Sequence, residues 1–461
     1  MLRLLKKLRR NDRGNVLILT AAAMPLLLGS AGLAVDTIQW TLWKRQLQRA
    51  ADSGALAGVY HRVQIDTQAQ VETAVARDID VASLFKRPTN TTSTAFMQLL
   101  AEPTVTLLAD DGDNVERVRV HLQYQRPLVF SSIFMAEAPI ITATATAASV
   151  PGSGEYCFVS LESSNNQTGI TIGGSTSLEL DCGMMSNSPA PNSALSNGSA
   201  SNVTATSIDA VGDIEYSDRW DVEDYNPYTP AIADPFANVN VDRSQMKCFN
   251  PSGNQPLLGT STSNNFNGNN ASVTFASARA TSGFTDVNCF RGLDVPTGQT
   301  MTLPAGTYYI GEAGMNVQGN LTCTGGCTFV LTRINELNAV GRLSVNANAN
   351  NGGNLNITAP TTGDYAHIAI FQDRNAVDST SNKNRINGSS SSVITGAIYF
   401  PNQEIVYNGN GNTSFACTRL VGRRLNFTGN SGVSNKFAAA EDCPWGEAGA
   451  IQAGRRVRLV A

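Results

Sequence analysis

No charged side chain stands between Val16 and Val35, while Arg3, Lys6, Lys7, Arg9, Arg10 and Arg13 precede that run with Asp12 as their only acid. As a helix such a run spans roughly 30 Å, the thickness of a bilayer's hydrocarbon core. Val16, Leu17, Ile18, Leu19, Leu26, Leu27, Leu28, Leu33 and Val35 are its membrane-spanning candidates, and Pro25 predicts a bend or a loosened turn. Cations held back on one side predict a cytoplasmic N-terminus in the inner membrane, with the rest of the chain extracytoplasmic. The rival is a secretory signal cut near Val35, but the apolar core of such a signal usually has about 7 to 15 residues. Helical spacing also continues past the cut. Val35, Ile38, Leu42, Arg45 or Gln46, Ala50, Ala51, Gly54 and Ala57 recur near three and four residue intervals, so one helix is predicted to about Gly58, with Lys44, Gln48, Arg49 and Asp52 facing water.

Farther along, the period changes. Val63, Val71, Val75 and Ile79 predict more helix over residues 59 to 90, ended by Pro88. Alternation over 104–108 and 115–124, around the turn Asp110-Asp111-Gly112-Asp113-Asn114, predicts a hairpin. A short helix is expected at 127–135 and a third strand at 140–150. After the linker Pro151-Gly152-Ser153-Gly154, short β-branched or apolar runs alternate with Gly, Asn and Ser clusters. Many short strands fit a sandwich, a barrel or a parallel β-solenoid. The solenoid is preferred, because two-residue hairpin turns are rare and asparagines recur where corners would fall, as at Asn346, Asn348 and Asn408.

The expected class is therefore α+β. It comprises a basic tail (1–15), a transmembrane segment (16–35) within the long helix, a small extracytoplasmic α/β module (36–150), a β-rich region (151–450) with an irregular insertion around 216–285, and a C-terminal tail (451–461). Only 15% of the 461 residues are charged and the formal net charge is −4, with no basic patch interleaved with aromatics, so nucleic acid is not an expected partner. All eight cysteines lie beyond residue 150, which predicts disulfides formed in an oxidising compartment. Eight cysteines allow 105 pairings. Pairing of sequence neighbours is the expected arrangement, namely Cys157 with Cys182, Cys248 with Cys289, Cys323 with Cys327, and Cys417 with Cys443. A metal at Cys323 and Cys327 is the rival, without a second ligand pair at zinc-like spacing.

Arg13-Gly14-Asn15-Val16, the apolar run, Asp36, and Leu47-Gln48-Arg49-Ala50-Ala51-Asp52-Ser53-Gly54-Ala55-Leu56-Ala57-Gly58 together resemble the N-terminal module of TadG-like proteins of the Tad (Flp) pilus assembly system. The resemblance is strong over about 60 residues and loose over 104–150. Leu303 to Ile310, Phe371-Gln372-Asp373-Arg374 and Gly396 to Pro401 look like the β-rich region of some members. The resemblance implies a role in assembling, anchoring or stabilising a pilus beside other Tad proteins. Pilin-type processing asks for a glutamate where this chain has Leu19. Asp378-Ser379-Thr380-Ser381-Asn382 departs from the D-x-S-x-S metal loop of relatives with a von Willebrand factor A domain.

Little chemistry competes with a structural role. Only His61, His121 and His367 occur, and no phosphate loop, dinucleotide fingerprint or nucleophile elbow is present. Asp364, Asp373, Arg374, Asp378, Lys383 and Arg385 form the densest polar cluster, and a polysaccharide-active enzyme would need two of its carboxylates about 5 to 9.5 Å apart. The expectation is no enzyme and no cofactor. The alternative function is an envelope adhesin whose β region binds glycan or matrix. Ala50, Ala51, Gly54, Ala57 and Gly58 form a small face suited to close helix packing, either on a partner helix or on the chain's own hairpin.

Overall fold

The computed structural model describes residues 12–64, 67–133, 135–152, 154–198, 201–215, 218–248, 257–259, 272–273, 287–346, 353–379, 383–387, 392–409, 412–430, 432–436, 443, 451 and 454–460. The chain divides into two compact units, one of residues 1–151 with 455–461 and the other of residues 152–454.

The first unit is built on one long helix, α1 (Asp12–Gln64), which contains Pro25 and runs past the predicted end near Gly58. A second helix, α2 (Gln68–Ala82), follows, and the helical stretch expected to residue 90 stops early, at Ala82. The stop is local: Ser83 Oγ donates to the Ile79 carbonyl and accepts the Phe85 N–H, turning the chain out of the helix. Thr104–Leu107, Val115–Tyr124, Ile141–Val150 and Arg456–Val460 form a four-stranded antiparallel sheet in the order Thr104–Leu107, Val115–Tyr124, Ile141–Val150, Arg456–Val460. The predicted helix at 127–135 is only a 3-10 turn, Ser131–Ile133. The expected C-terminal tail is instead the edge strand of this sheet. Val457 and Leu459 alternate with Arg456 and Arg458, and Val457 packs against the module's core.

Helix α1 buries Trp43, Leu47, Ala50, Ala51, Ala55 and Val59 against Val71, Val75 and Ile79 of α2 and Val118, Val120, Ala143, Ala145 and Ala147 of the sheet. The predicted stripe was misplaced at its start: Val35, Ile38 and Leu42 are exposed. Trp43 and Leu47 carry the buried face instead, one residue round the helix at each step.

In the second unit 22 strands, among the described residues, join in one hydrogen-bonded set whose pairings run parallel. They fall into three ladders. In the first, strands meet in the order Cys289–Val295, Gly306–Val317, Cys327–Leu331, Ile368–Gln372, Val393–Gly409, Thr418–Gly429, Tyr156–Ser160, Gly183–Ser186, Asn202–Ala210. Their side chains alternate, apart from register shifts such as those between Tyr156 and Phe158 and between Ile368 and Ile370. Phe158, Ile370, Ile398 and Leu420 enter the interior cluster, while Val159, Phe371, Tyr399 and Val421 enter a second cluster on the opposite face. Burial on both faces explains the continuous apolar runs.

The order of the ladder is not the order of the chain. The last tier, 418–436, lies directly on the first, 156–180: Leu420 pairs with Phe158, Leu425 with Ile170 and Val433 with Leu178. The chain therefore enters and leaves this unit in the middle of its stack. The expected irregular insertion around 216–285 is corrected in two ways. Trp220–Asn226 is a strand paired with Asn202–Ala210, and residues 227–248 form a strap along the outer face of the first ladder. Asn187 holds Ile232, Tyr399 and Arg374 hold Asp234, Arg374 also donates to the carbonyls of Phe236 and Val239, Tyr365 donates to the Asn240 carbonyl, and Cys248 ends bonded to Cys289. Pro227, Pro230 and Pro235 suit a segment that donates no ladder of its own.

Close approach of α1 to its neighbours rests on Gly58, where a Cβ would come within 2.8 Å of Val118 Cγ1 and 3.1 Å of Val75 Cγ2. Gly58→Leu is expected to cost the first unit about 1 to 3 kcal/mol through overpacking, whereas Ala57→Leu, at a half-exposed position, stays within about 0.5 kcal/mol. Native-state hydrogen exchange of amides in 115–124 and 141–150 reads both.

Candidate functional site

Two places gather the residues that sequence singled out. The first is the start of α1. Leu19, Met24, Leu26, Leu27, Leu28, Leu33 and Val35 are exposed, Leu26 at 77%, and no described part of the unit covers them. Val16, Leu17, Ile18 and Arg13 are helical, with side chains outside the described set; Arg3, Lys6, Lys7, Arg9 and Arg10 lie outside the described residues. Among the described residues this is the one helix long and apolar enough to cross a membrane.

Where the apolar run ends, the helix acquires partners. Gly32 faces Phe130, whose ring occupies the place a Cβ would take. Asp36, only 3% exposed, accepts the Ser131 N–H at 2.6 Å. Gly54 lies against Val75 and Ile79, and Gly58 against Val118 and Val75; Ala50 and Ala51 are buried in the same cluster, while Ala57 is half-exposed. In this structure Ala50, Ala51, Gly54 and Gly58 thus meet the chain's own second helix and sheet.

The second place is the polar cluster of the β region. Glu162, with its side chain 1% exposed, follows the strand Tyr156–Ser160 and receives Arg423 at 3.0 Å and Arg424 at 2.7 Å from the last tier. Arg424 turns its other nitrogen to both oxygens of Asp378, at 2.8 and 2.7 Å, and Arg423 adds a contact to Asp378 at 3.3 Å. Lys383 pairs with Glu404 at 2.7 Å, and Arg419 pairs with Glu155. Burial on its own raises the Glu162 carboxyl, but hydrogen bonds from Arg423, Ser164 and Arg424 outweigh it and bring the pKa down to about 2. Asp373 is spent differently, accepting from Thr332 Oγ1 at 2.7 Å and the Asn375 N–H at 2.9 Å. Arg374 serves the strap, and Asp364 and Arg385 are exposed.

Of the six residues proposed from sequence as a polar cluster, only Asp378 belongs to this network of arginines, with Lys383 at its margin through Glu404. Glu162, Arg423 and Arg424 were missed. The signal was present as two adjacent arginines inside the apolar run 420–427, and an acid directly after the largely apolar 156–161. Asparagines stack between the ends of paired strands, where Asn387 donates to Asn346 at 2.7 Å and Asn354 to Asn320 at 2.8 Å; Asn408, expected at a corner, lies instead within the strand Val393–Gly409 opposite Thr428, and Asn348 lies outside the described residues. The sulfurs are bonded as Cys157 to Cys182, Cys248 to Cys289, Cys323 to Cys327 and Cys417 to Cys443.

These features define a chain with one helix of membrane-spanning length, a small α/β module and a large parallel β region. Residues 14–70 match a family of the Tad system, described as Putative Flp pilus-assembly TadE/G-like. The match covers α1 and the first residues of α2 and leaves the β region outside it. No curated protein and no solved structure matches the chain.

Because the folded pKa of Glu162 is depressed, its stabilising contribution is complete above the ordinary glutamate value of 4.5 and is lost as pH falls through about 2. Glu162→Gln is expected to destabilise the β region by about 3 kcal/mol above pH 5, the lower end for a broken buried pair because Asp378 still holds Arg424. The variant also flattens the acid limb between pH 4.5 and 2. Urea midpoints measured across that range check both statements.

Proposed function

We propose that this chain is a membrane-anchored, non-enzymatic component of Tad (Flp) pilus assembly, which anchors or stabilises the machinery through contacts with other Tad proteins. The observation that carries the reading is the family match over residues 14–70, which falls on the helix whose apolar start is left exposed. The six N-terminal cations support a cytoplasmic N-terminus in the inner membrane. Four disulfides support an oxidising, extracytoplasmic location for the rest. Three parallel ladders with an apolar interior support reading the β region as a single β-solenoid, a stiff body suited to presenting surface to neighbours. The commitment of Glu162, Asp378 and Glu404 to cations supports a structural use of the polar cluster.

Crosslinking with mass spectrometry on membranes from cells expressing the full chain tests the reading. Residues 1–35 are expected on the intact protein, with crosslinks to secretin, platform or pilin-like proteins. Deletion is expected to abolish pili, and a form with residues 1–35 exchanged for a cleavable signal peptide is expected not to restore them. A soluble product beginning near Val35 and lacking such partners overturns the reading, and glycan binding with piliation unaffected by deletion replaces it with the adhesin.

A further inference from the structure

The turn after the strand Val115–Tyr124 presents apolar side chains to the outside. Val129 is 76% and Ile133 71% exposed, and Phe130 and Met135 are exposed as well. Among the described residues of this turn Leu128 packs against the module's core, whereas Val129, Ile133 and Met135 lie outside that cluster and Phe130 covers Gly32 while staying partly exposed.

Two contacts fix where the turn stands along α1. Phe130 lies over Gly32, inside the uncharged run, and Asp36, the first charged residue after that run, holds the Ser131 N–H. The turn therefore sits against the last helical turn of the exposed apolar stretch. Its apolar surface continues that of the helix, where Leu33, Val35 and Ile38 are exposed.

The backbone of the turn is unusually self-sufficient. Ser132 N–H donates to the Leu128 carbonyl at 3.0 Å, Ile133 N–H to Phe130 at 3.3 Å and Met135 N–H to Ser131 at 2.9 Å, and Ser132 Oγ donates to the Val129 carbonyl at 2.9 Å. With Ser131 N–H on Asp36, the N–H groups of Ser131, Ser132, Ile133 and Met135 are all bonded within the protein. Internal bonds of this kind are what backbone entering hydrocarbon requires.

We infer that Val129, Phe130, Ile133 and Met135 insert into the bilayer interface beside the emerging helix, giving the unit a second membrane contact. The occupant of this surface is lipid, and the inference rests on the reading of α1 as a membrane anchor. One helix alone leaves the unit free to rotate about the helix axis and to tilt. A second insertion point set off that axis fixes both, so the sheet is presented in one orientation to neighbouring proteins.

The test uses the full chain in phosphatidylcholine and phosphatidylglycerol vesicles, with nitroxide labels at Val129→Cys and Ile133→Cys, a helix control at Leu28→Cys and an aqueous control at Glu336→Cys. Accessibility to oxygen relative to a water-soluble nickel chelate is measured at each. Labels at 129 and 133 are expected to show the high ratio of Leu28→Cys and to differ clearly from Glu336→Cys. A water-like ratio at 129 and 133, with Leu28→Cys in lipid, overturns the second contact while leaving the anchor standing. Protection from both reagents overturns it in favour of a protein partner on the turn. A water-like ratio at Leu28→Cys as well overturns the anchor itself and this inference with it.

Discussion

The β region depends on one junction, the docking of its last tier on its first. Without it, the strands of 289–436 and those of 156–226 would be two short stacks, each with an open end of unpaired backbone. The junction is made in three ways at once. Backbone pairing joins 420–422 to 158–160, 425–427 to 170–172 and 432–435 to 177–180. In the interior Phe158 stacks on Phe427, with ring centroids 5.3 Å apart. At the rim Glu162 takes Arg423 and Arg424. Of the three, the charges are the most sensitive to losing one partner, since the Glu162 carboxylate is buried and its removal leaves the partly buried Arg423 and Arg424 with Asp378 alone.

The junction explains the strap. Once 156–226 has been laid down on one side of the junction, the chain must reach the far end of the other side before it can wind back. Residues 227–248 make that journey outside the first ladder, and the cost of burying their backbone is met by Asp234, Arg374, Tyr365 and Tyr399. Burial raises the Tyr399 phenol, and the Asp234 carboxylate that it bonds at 2.6 Å raises it further, so it remains a donor at any physiological pH. The bond between Cys248 and Cys289 then pins the end of the strap to the strand Cys289–Val295.

What was legible in sequence follows from what is local. The long helix, the hairpin around Asp111 and Gly112, and the change to short strands after residue 150 are written in neighbouring residues. Register with a distant tier is not. Nothing near Leu420 or Val433 says that their partners are Phe158 and Leu178, some 260 residues earlier, and the strap at 227–248 has no period to recognise. The face of α1 went astray for a related reason: Val35, Ile38 and Leu42 are apolar and well spaced, but apolarity there is directed outward, and only the tertiary partners of Trp43 and Leu47 show where the burial begins. The strand Arg456–Val460 was hidden by its length and its arginines.

That strand gives the junction its wider consequence. Because the last tier docks in mid-stack, the two ends of the β region come together, with Tyr156 N–H bonded to the Ile451 carbonyl at 2.8 Å and Gly454 N–H to the Tyr156 hydroxyl at 3.2 Å. In the first unit Val150 and Arg456 are direct partners in the antiparallel sheet. The whole β region is thus an insertion into a hairpin, joined to the helical module by two covalent connections rather than one. Any force passing between the units is divided between two strands already hydrogen-bonded to each other, and peeling one from the module requires breaking its pairing with the other. A single linker after Val150 would have offered neither property, since it is the pairing of Val150 with Arg456 that ties the two connections to each other.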